Sequence, residues 1–329
     1  MFAIDATACR AHTQARMSCA ETWSGEDVAG AQLTVRAPFH LEATARVLQR
    51  RPKNLIDVWE AHRYFRVLAT ADGLVLVEVE NRGTIDDPDV RLHVRSGHPS
   101  AATRLDLMQT VRRMLGLDVD PAPLRHRVER ERRLRAMVPA LRGMRPPRFP
   151  GLFEAFANVI PFQQLSLDAG VAIVGRLVER FGEHIELDGR RFHAFPTSRA
   201  VAAARLSALV ECGLSRAKAQ SLRHAAKAIE SGDLTEDEIA EMSTTDALAK
   251  LTELRGIGAW SAAVVMLRGL GRLDVFPPGD AGAVRGLGAL LHLRSRGSLD
   301  RVVERFGEQR GYLYFFGLAA SLLKKGLIR

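Results

Sequence analysis

The side chain best placed to do chemistry in this sequence is the carboxylate of Asp280, which follows the run Phe276-Pro277-Pro278-Gly279. Two consecutive prolines stiffen the backbone, so this run predicts an accurately positioned carboxylate at the start of a helix. Such a group can stabilise a developing positive charge or activate water, the two tasks that hydrolysis of a glycosidic bond requires. Asp is also a favoured helix N-cap, and the spacing alone leaves both roles open.

Backbone amides form a second group with chemical potential. The sequence Arg255-Gly256-Ile257-Gly258 predicts a tight turn between two helices, because glycine accepts positive φ and lets a new helix begin at once. Apolar residues then recur at steps of three and four, which predicts a second helix from Ile257 to Leu270. The amides at its start, backed by the positive end of the helix dipole, can hold a phosphate. An ordinary, well-capped turn would show the same Gly-Ile-Gly pattern.

Taken together, the two segments resemble the helix-hairpin-helix superfamily of DNA glycosylases, and in particular its 3-methyladenine DNA glycosylase II type. The resemblance rests on Gly256-Ile257-Gly258, Trp260-Ser261-Ala262, Asp274, Phe276-Pro277 and Asp280. It implies a monofunctional enzyme that flips alkylated bases of the 3-methyladenine and 7-methylguanine class out of double-stranded DNA and removes them hydrolytically in base excision repair. In that mechanism Asp280 is the catalytic carboxylate, and Gly256, Ile257 and Gly258 bind the DNA backbone.

The resemblance also assigns DNA-binding roles outside the hairpin. Gln163 and Gln164 match the turn that fills the gap left by an extruded base, with Gln164 as the wedge candidate and Gln163 or Leu165 as the next choices. Lys218 lies in a Gly-Leu-Ser-x-x-Lys-Ala segment that packs beside the hairpin in the family, where it could reach a phosphate. Without the resemblance, a glutamine pair is an ordinary polar turn and Lys218 a solvated helix residue.

Trp260 and Tyr312 are the candidates for the base pocket. The aromatic face of Trp260 suits stacking on an electron-poor cationic base, although a tryptophan in this pattern is as readily a core residue. Near the C-terminus only Arg310 and Gly311 remain of a family run that carries Pro-Trp before them, and Glu308-Gln309 stand in its place. Arg310 remains a DNA-binding candidate, and the lost pair puts the base preference in doubt.

Two further expectations concern reaction type and cofactors. Strand-cleaving relatives use a lysine on the second hairpin helix to form a Schiff base, whereas this chain has Trp260 there and no lysine between Leu251 and Lys324. The resemblance therefore implies a glycosylase without strand-cleaving lyase activity. No organic cofactor is expected. The family pattern also allows a monovalent cation at the hairpin, held by the backbone carbonyls of Leu254 and Ile257.

Composition agrees with a DNA-binding protein. The formal net charge is +9 and the pI about 10.1, which favours a polyanionic partner. Cys9, Cys19 and Cys212 form no metal-ligand cluster, and so few cysteines indicate a reducing compartment. No apolar run is long enough to span a bilayer. We therefore expect a monomer in the cytoplasm, associated with the nucleoid if the source is bacterial, with no membrane partner.

The elements that must position these residues fall into two parts. The fold class predicted is an α+β N-terminal domain with an antiparallel sheet, followed by an all-α helix-hairpin-helix body of two lobes. The predicted boundaries are a disordered tail at 1–32, a small α+β domain at 33–117, a basic, proline-containing linker and helix at 118–150, and the all-helical domain at 151–329.

Two other functions compete with alkylated-base removal. One is a non-catalytic DNA-binding protein that keeps the hairpin and has lost its pocket, which the Glu308-Gln309 departure would permit. The other is a glycosylase for oxidised or deaminated bases. Release of free base from methylated DNA separates the first of these from the main prediction.

Overall fold

The computed structural model describes residues 30–131, 141–292 and 296–328. The disordered tail predicted for residues 1–32 lies outside the described residues, apart from its end, which joins the first strand. The middle of the predicted basic linker, residues 132–140, also lies outside them. No helix in the described ranges is long and apolar enough to cross a membrane.

The N-terminal part is a five-stranded antiparallel sheet with two helices. Its elements are β1 (Gly30–Leu33), α1 (Leu41–Gln49), β2 (Val58–Glu60), β3 (Arg63–Thr70), β4 (Gly73–Asn81), β5 (Val90–Ser96) and α2 (Ala101–Leu115). The strand order is β1-β5-β4-β3-β2, and each neighbouring pair runs antiparallel. Alternating apolar residues of the sheet pack with α1 and α2 in one core. The predicted α+β unit is therefore confirmed, and the short strand β2 is an addition to it.

The remainder is mainly helical. Its helices are α3 (Ala122–Arg130), α4 (Leu152–Ala157), α5 (Leu167–Phe181), α6 (Ser198–Ala203), α7 (Leu206–Glu211), α8 (Arg216–Ser231), α9 (Glu236–Glu241), α10 (Thr244–Glu253), α11 (Ala259–Val265), α12 (Ala281–Leu290), α13 (Arg296–Phe306) and α14 (Arg310–Lys324). A π-helical turn, Met266–Leu270, extends α11. Two hydrophobic cores divide this body, one built from α4 to α11 and the other around α12 to α14. The predicted two-lobed body is thus confirmed.

A β-hairpin interrupts the helical body where only helices were predicted. Strands β6 (His184–Leu187) and β7 (Arg190–His193) pair antiparallel and cover the outer face of the N-terminal sheet. The rings of Phe65 and Phe192 lie 5.8 Å apart, and Val67 forms an isolated bridge with Ala194. The few apolar residues of this β-hairpin bury that face of the sheet. The β-hairpin therefore depends on tertiary packing, which the helical periodicity of the sequence does not show.

Helix α1 belongs to two cores at once. Its residues Leu41 and Leu48 pack under the sheet, whereas Ala43 and Val47 complete the core around α14. A buried ionic cluster adds a second link: Arg66 of the sheet donates to Asp57 at 2.7 Å and to Glu154 of α4 at 2.5 Å. The N-terminal part is consequently joined to both lobes of the helical body, and its α1 ends beside the space between them.

Candidate active site

A cleft of about 980 Å³ opens between the two helical cores. Its lining is drawn from both lobes and from the end of α1, and includes Arg50, Asn158, Phe162, Gln163, Gln164, Lys218, Gly256, Gly258, Trp260, Asp280, Arg285, Tyr314 and Leu318. Most of the predicted site residues therefore meet at one cavity, although they come from distant parts of the chain. The cavity is of the size of a small-molecule pocket, large enough for a nucleobase.

Asp280 lies at this cleft with only 8% of its surface exposed. One carboxylate oxygen, Oδ1, accepts the backbone N–H of Ala283 at 2.6 Å, which makes Asp280 the N-cap of α12. The other oxygen, Oδ2, accepts the indole N–H of Trp260 at 2.8 Å. The two roles left open by the sequence are therefore not exclusive, because the cap fixes one oxygen and leaves the carboxylate at the cavity wall.

The segment before Asp280 positions it by a turn as well as by prolines. Gly279 has φ 69°, a left-handed conformation that glycine adopts without strain, and the Asp280 N–H points back to the Pro277 carbonyl at 3.4 Å. Further back, Asp274 accepts a hydrogen bond from the Thr244 hydroxyl at the start of α10. The approach to the carboxylate is thus anchored to the hairpin's first helix.

The indole of Trp260 is half-buried and serves two neighbours. Its ring lines the cleft while its Nε1 holds the Asp280 carboxylate. Because an indole N–H can only donate, it fixes Oδ2 as an acceptor. Trp260 also packs against the first helical core. Its side chain is therefore both a core residue and part of the cleft wall.

The hairpin turn contains two glycines with different functions. Gly256 has φ 81°, and a Cβ added there would lie 2.1 Å from the Ser221 hydroxyl oxygen of α8. Gly258 has φ −93° and ψ 178°, ordinary extended values, and a Cβ there would meet nothing within 4 Å. Gly256 thus supplies the positive φ expected in this turn, and Gly258 does not need it. Ile257 between them is 4% exposed and anchors the turn in the first core.

The loop before α5 is tied to the hairpin by side chains. Gln163 donates from Nε2 to the Gly256 carbonyl and to the Ser261 hydroxyl, both at 2.9 Å. Lys218 donates from Nζ to the carbonyls of Pro161 at 3.2 Å and Gln163 at 2.5 Å. Burial lowers the pKa of this lysine. Both residues therefore brace the loop, which is a different task from the direct DNA contact predicted for them.

Gln164 stands at the tip of this braced loop. It is exposed, and its φ of 55° is unusual for a residue with a side chain. Its neighbour Leu165 is 44% exposed, one of few large apolar side chains in that state among the described residues. Both line the mouth of the cleft, where a wedge would have to stand.

The positions of Tyr312 and Arg310 differ from their predicted roles. Tyr312 is fully buried in the second helical core and does not line the cleft, and burial raises the pKa of its phenol. Tyr314, two residues later on α14, lines the cleft instead. Arg310 donates from Nε to the Gly307 carbonyl at 2.8 Å and also lies outside the cleft lining. The tyrosine that lines the cleft is therefore Tyr314, and the Arg310 side chain bonds the turn that precedes its own helix.

Arg50 is a cleft residue that sequence reasoning missed. It follows the last residue of α1 and precedes Arg51 and Pro52, a setting typical of a helix end. It lines the cavity with Asp280 and Tyr314, and these two groups oppose the burial that lowers the pKa of its guanidinium. No local pattern marks it, because its place in the site depends on how α1 packs against α14.

Comparisons with known proteins were consistent with this geometry. Residues 157–309 match the family model described as HhH-GPD superfamily base excision DNA repair protein, and residues 31–150 match the AlkA N-terminal domain. A DNA-3-methyladenine glycosylase of Bacillus subtilis is 26% identical over 201 residues, which cover 61% of this chain and 66% of that protein.

A second relative, a probable bifunctional transcriptional activator/DNA repair enzyme AlkA of Mycobacterium tuberculosis, is 29% identical over 280 residues, covering 84% of this chain and 53% of that protein. The chain therefore spans between about half and two thirds of the length of these two relatives. Among solved structures, a 3-methyladenine DNA-glycosylase from Archaeoglobus fulgidus superposes with a TM-score of 0.71 at 26% identity, over 87% of this chain and 97% of that one.

Proposed function

We propose that this chain, which belongs to the HhH-GPD superfamily of base excision DNA repair proteins in its 3-methyladenine DNA glycosylase II type, removes alkylated bases from double-stranded DNA. The observation that carries the proposal is the Asp280 carboxylate, nearly buried at the wall of a base-sized cleft and held by donors on both oxygens. The names of the relatives support alkylated bases as the substrate over oxidised or deaminated ones. The ordered carboxylate argues against a protein that only binds DNA.

The chemistry follows from the charge of the substrate. An alkylated purine already carries positive charge, so it leaves readily and needs little acid catalysis. The sugar then becomes positively charged as the bond breaks, and a fixed carboxylate stabilises that charge more than it stabilises the ground state. The Asp280 carboxylate is held in place at the N-terminus of α12 by its cap hydrogen bond, and water completes the hydrolysis. The half-buried Trp260 offers its face to the electron-poor base.

DNA binding is assigned to the hairpin turn and the loop tip. The exposed Gly258 leaves the first amides of α11 open to a phosphate, and Gln164 stands at the cleft mouth to replace the extruded nucleotide. Contacts of this kind recognise the backbone, so affinity for undamaged duplex should show little sequence preference and fall steeply with salt. An affinity independent of salt would contradict this assignment.

The monomeric state also stays a prediction, which sedimentation would test.

The reaction should leave the DNA strand intact. Trp260 occupies the position of the Schiff-base lysine in strand-cleaving relatives, and an indole cannot form that adduct. Lys218 does line the cleft, but two backbone carbonyls engage its amine. Methylated duplex treated with the protein should therefore show strand breaks only after alkali.

A monovalent cation at the hairpin is a further part of the proposal. The Leu254 carbonyl accepts one hydrogen bond, from the Ile257 N–H at 2.9 Å, and a carbonyl oxygen has a second lone pair for a cation. Bound there with the Ile257 carbonyl, the ion would place positive charge beside the DNA phosphate. Replacing potassium by a bulky organic cation at constant ionic strength should weaken DNA binding if this site is used, and leave it unchanged otherwise.

The decisive experiment is chemical. Purified protein is incubated with DNA methylated in vitro, and the supernatant is analysed for free bases by chromatography and mass spectrometry. Release of 3-methyladenine or 7-methylguanine supports the proposal. DNA binding without release of either base would favour the non-catalytic alternative.

A further inference from the structure

Arg50 occupies a backbone conformation that only a specific requirement explains. It caps α1 with φ 58° and ψ −40°, values that are costly for any residue with a side chain. Its N–H still closes the helix on the Arg46 carbonyl at 2.8 Å. This geometry directs the side chain of an N-terminal residue into the cleft between the lobes, where it is 8% exposed.

The Arg50 guanidinium is held by aromatic faces and keeps its donors unused. It lies 4.9 Å from the ring centroid of Phe162 and 5.5 Å from that of Phe149. Among the described residues it donates no side-chain hydrogen bond. Its nitrogens also do not belong to the fully buried polar atoms that lack a hydrogen-bond partner. Unbonded donors that are not enclosed face open space, and Arg50 lines both this cleft and a smaller pocket that it shares with Asn54. Tyr314 and Asp280, which act on the charge of the guanidinium, line the cleft and not the smaller pocket.

A second buried arginine shows the contrast. Arg268 lies 4.4 Å from the Phe149 ring, is fully buried and does not line the cleft. Two of its nitrogens, Nε and Nη1, are buried without a hydrogen-bond partner, and burial lowers the pKa of Arg268 to about 9. Arg268 is therefore part of the supporting core, whereas Arg50 lines the cleft and has donors free for a ligand.

The depth of Arg50 decides what it can meet. DNA phosphates remain at the protein surface, and the group that reaches a nearly buried position beside Asp280 and Tyr314 is the flipped base. A guanidinium offers only donors, so it pairs with a carbonyl oxygen and clashes with an amino group. We propose that Arg50 is a specificity residue that donates to a carbonyl oxygen on the edge of the base. This inference rests on the proposed function.

The consequence is a preference within the alkylated purines. 7-Methylguanine carries a carbonyl oxygen on its six-membered ring at the place where 3-methyladenine carries an amino group. A site built to donate a hydrogen bond discriminates against an analogue that lacks the acceptor. The protein should therefore depend on Arg50 for 7-methylguanine and much less for 3-methyladenine.

The test compares both bases in one reaction. DNA methylated in vitro contains both, so initial release rates are measured together for the wild type, Arg50→Met and Arg285→Met. Methionine keeps the apolar stem of Arg50 between its two rings. For Arg50→Met, release of 7-methylguanine should fall by about tenfold or more relative to release of 3-methyladenine. Arg285 lines the same cleft but is exposed, so its loss should lower both rates by one common factor.

Each other outcome overturns a different statement. If Arg50→Met lowered the release rates of both bases equally, Arg50 would act only on the charge of Asp280 or on DNA affinity. Unchanged release rates would mean that Arg50 has no part in base removal. If Arg50→Met unfolds, Arg50→Leu also keeps an apolar side chain without donors, and it should show the same selective loss. Release of neither base by the wild type would reject the proposed function itself.

Discussion

Replacing Trp260 by Phe should slow base release without weakening DNA binding. The change keeps an aromatic face in the cleft and removes the N–H that holds Asp280 Oδ2 at 2.8 Å. A hydrogen bond to a charged group is worth about 1.5 to 3 kcal/mol, and here its loss leaves a nearly buried carboxylate oxygen without its donor. If that energy is lost mainly in the transition state, the single-turnover rate should fall by roughly 10-fold to 150-fold.

The assay is release of 7-methylguanine and 3-methyladenine with enzyme in excess, so that product release does not limit the rate. Affinity for a duplex with an abasic site and the thermal midpoint are measured in parallel. Trp260→Ala is the matched comparison, because it removes the ring as well as the donor. Its activity should fall further, because stacking of the base on the ring is also lost; that is worth about 1 to 3 kcal/mol, or roughly 5-fold to 150-fold in rate.

A Trp260→Phe rate within about twofold of the wild type would refute the positioning role, since so small a change is far below the energy of a charged hydrogen bond. A loss in abasic-site affinity as large as the loss in rate would mean that Trp260 acts through binding. Either result would leave Ala283 as the one donor among the described residues that orients Asp280.

Other changes test the surrounding elements. Gly256→Ala should destabilise the fold by about 1 to 3 kcal/mol in denaturant titrations, because its φ is positive and the new Cβ would meet Ser221, whereas Gly258→Ala should leave stability unchanged and weaken DNA binding. The reverse pattern would exchange the two roles. Gln164→Ala should weaken binding to an abasic-site duplex more than to plain duplex. Equal losses of affinity for the two duplexes would mean that Gln164 is not the wedge. Borohydride should trap no covalent complex; a trapped complex that disappears in Lys218→Arg would identify that amine as a nucleophile.

Local sequence signals located the carboxylate and the hairpin. The glycines, the prolines before Asp280 and the helical periods act within a few residues of one another, so the structure keeps them together. Helix α8 is another element with local signals, because a Ser215 cap marks its start and a Gly232 in the left-handed conformation marks its end.

The rest depended on tertiary packing. Helix α14 is apolar on most sides, so its sequence could not show that Tyr314 lines the cleft while Tyr312 is enclosed. The role of Arg50 arises from the contact of α1 with a helix near the other end of the chain. The braces formed by Gln163 and Lys218 are contacts between loops and helices, which no spacing in the sequence encodes.

The most direct test of the central claim compares the wild type with Asp280→Asn on methylated duplex DNA. Asparagine caps helices as well as aspartate, so α12 should persist, and the mispaired amide beside Trp260 should cost about 1 kcal/mol of stability. We predict that the wild type releases free alkylated bases, and that Asp280→Asn binds the same DNA with nearly unchanged affinity and releases none. Base release by Asp280→Asn at the wild-type rate would contradict the account.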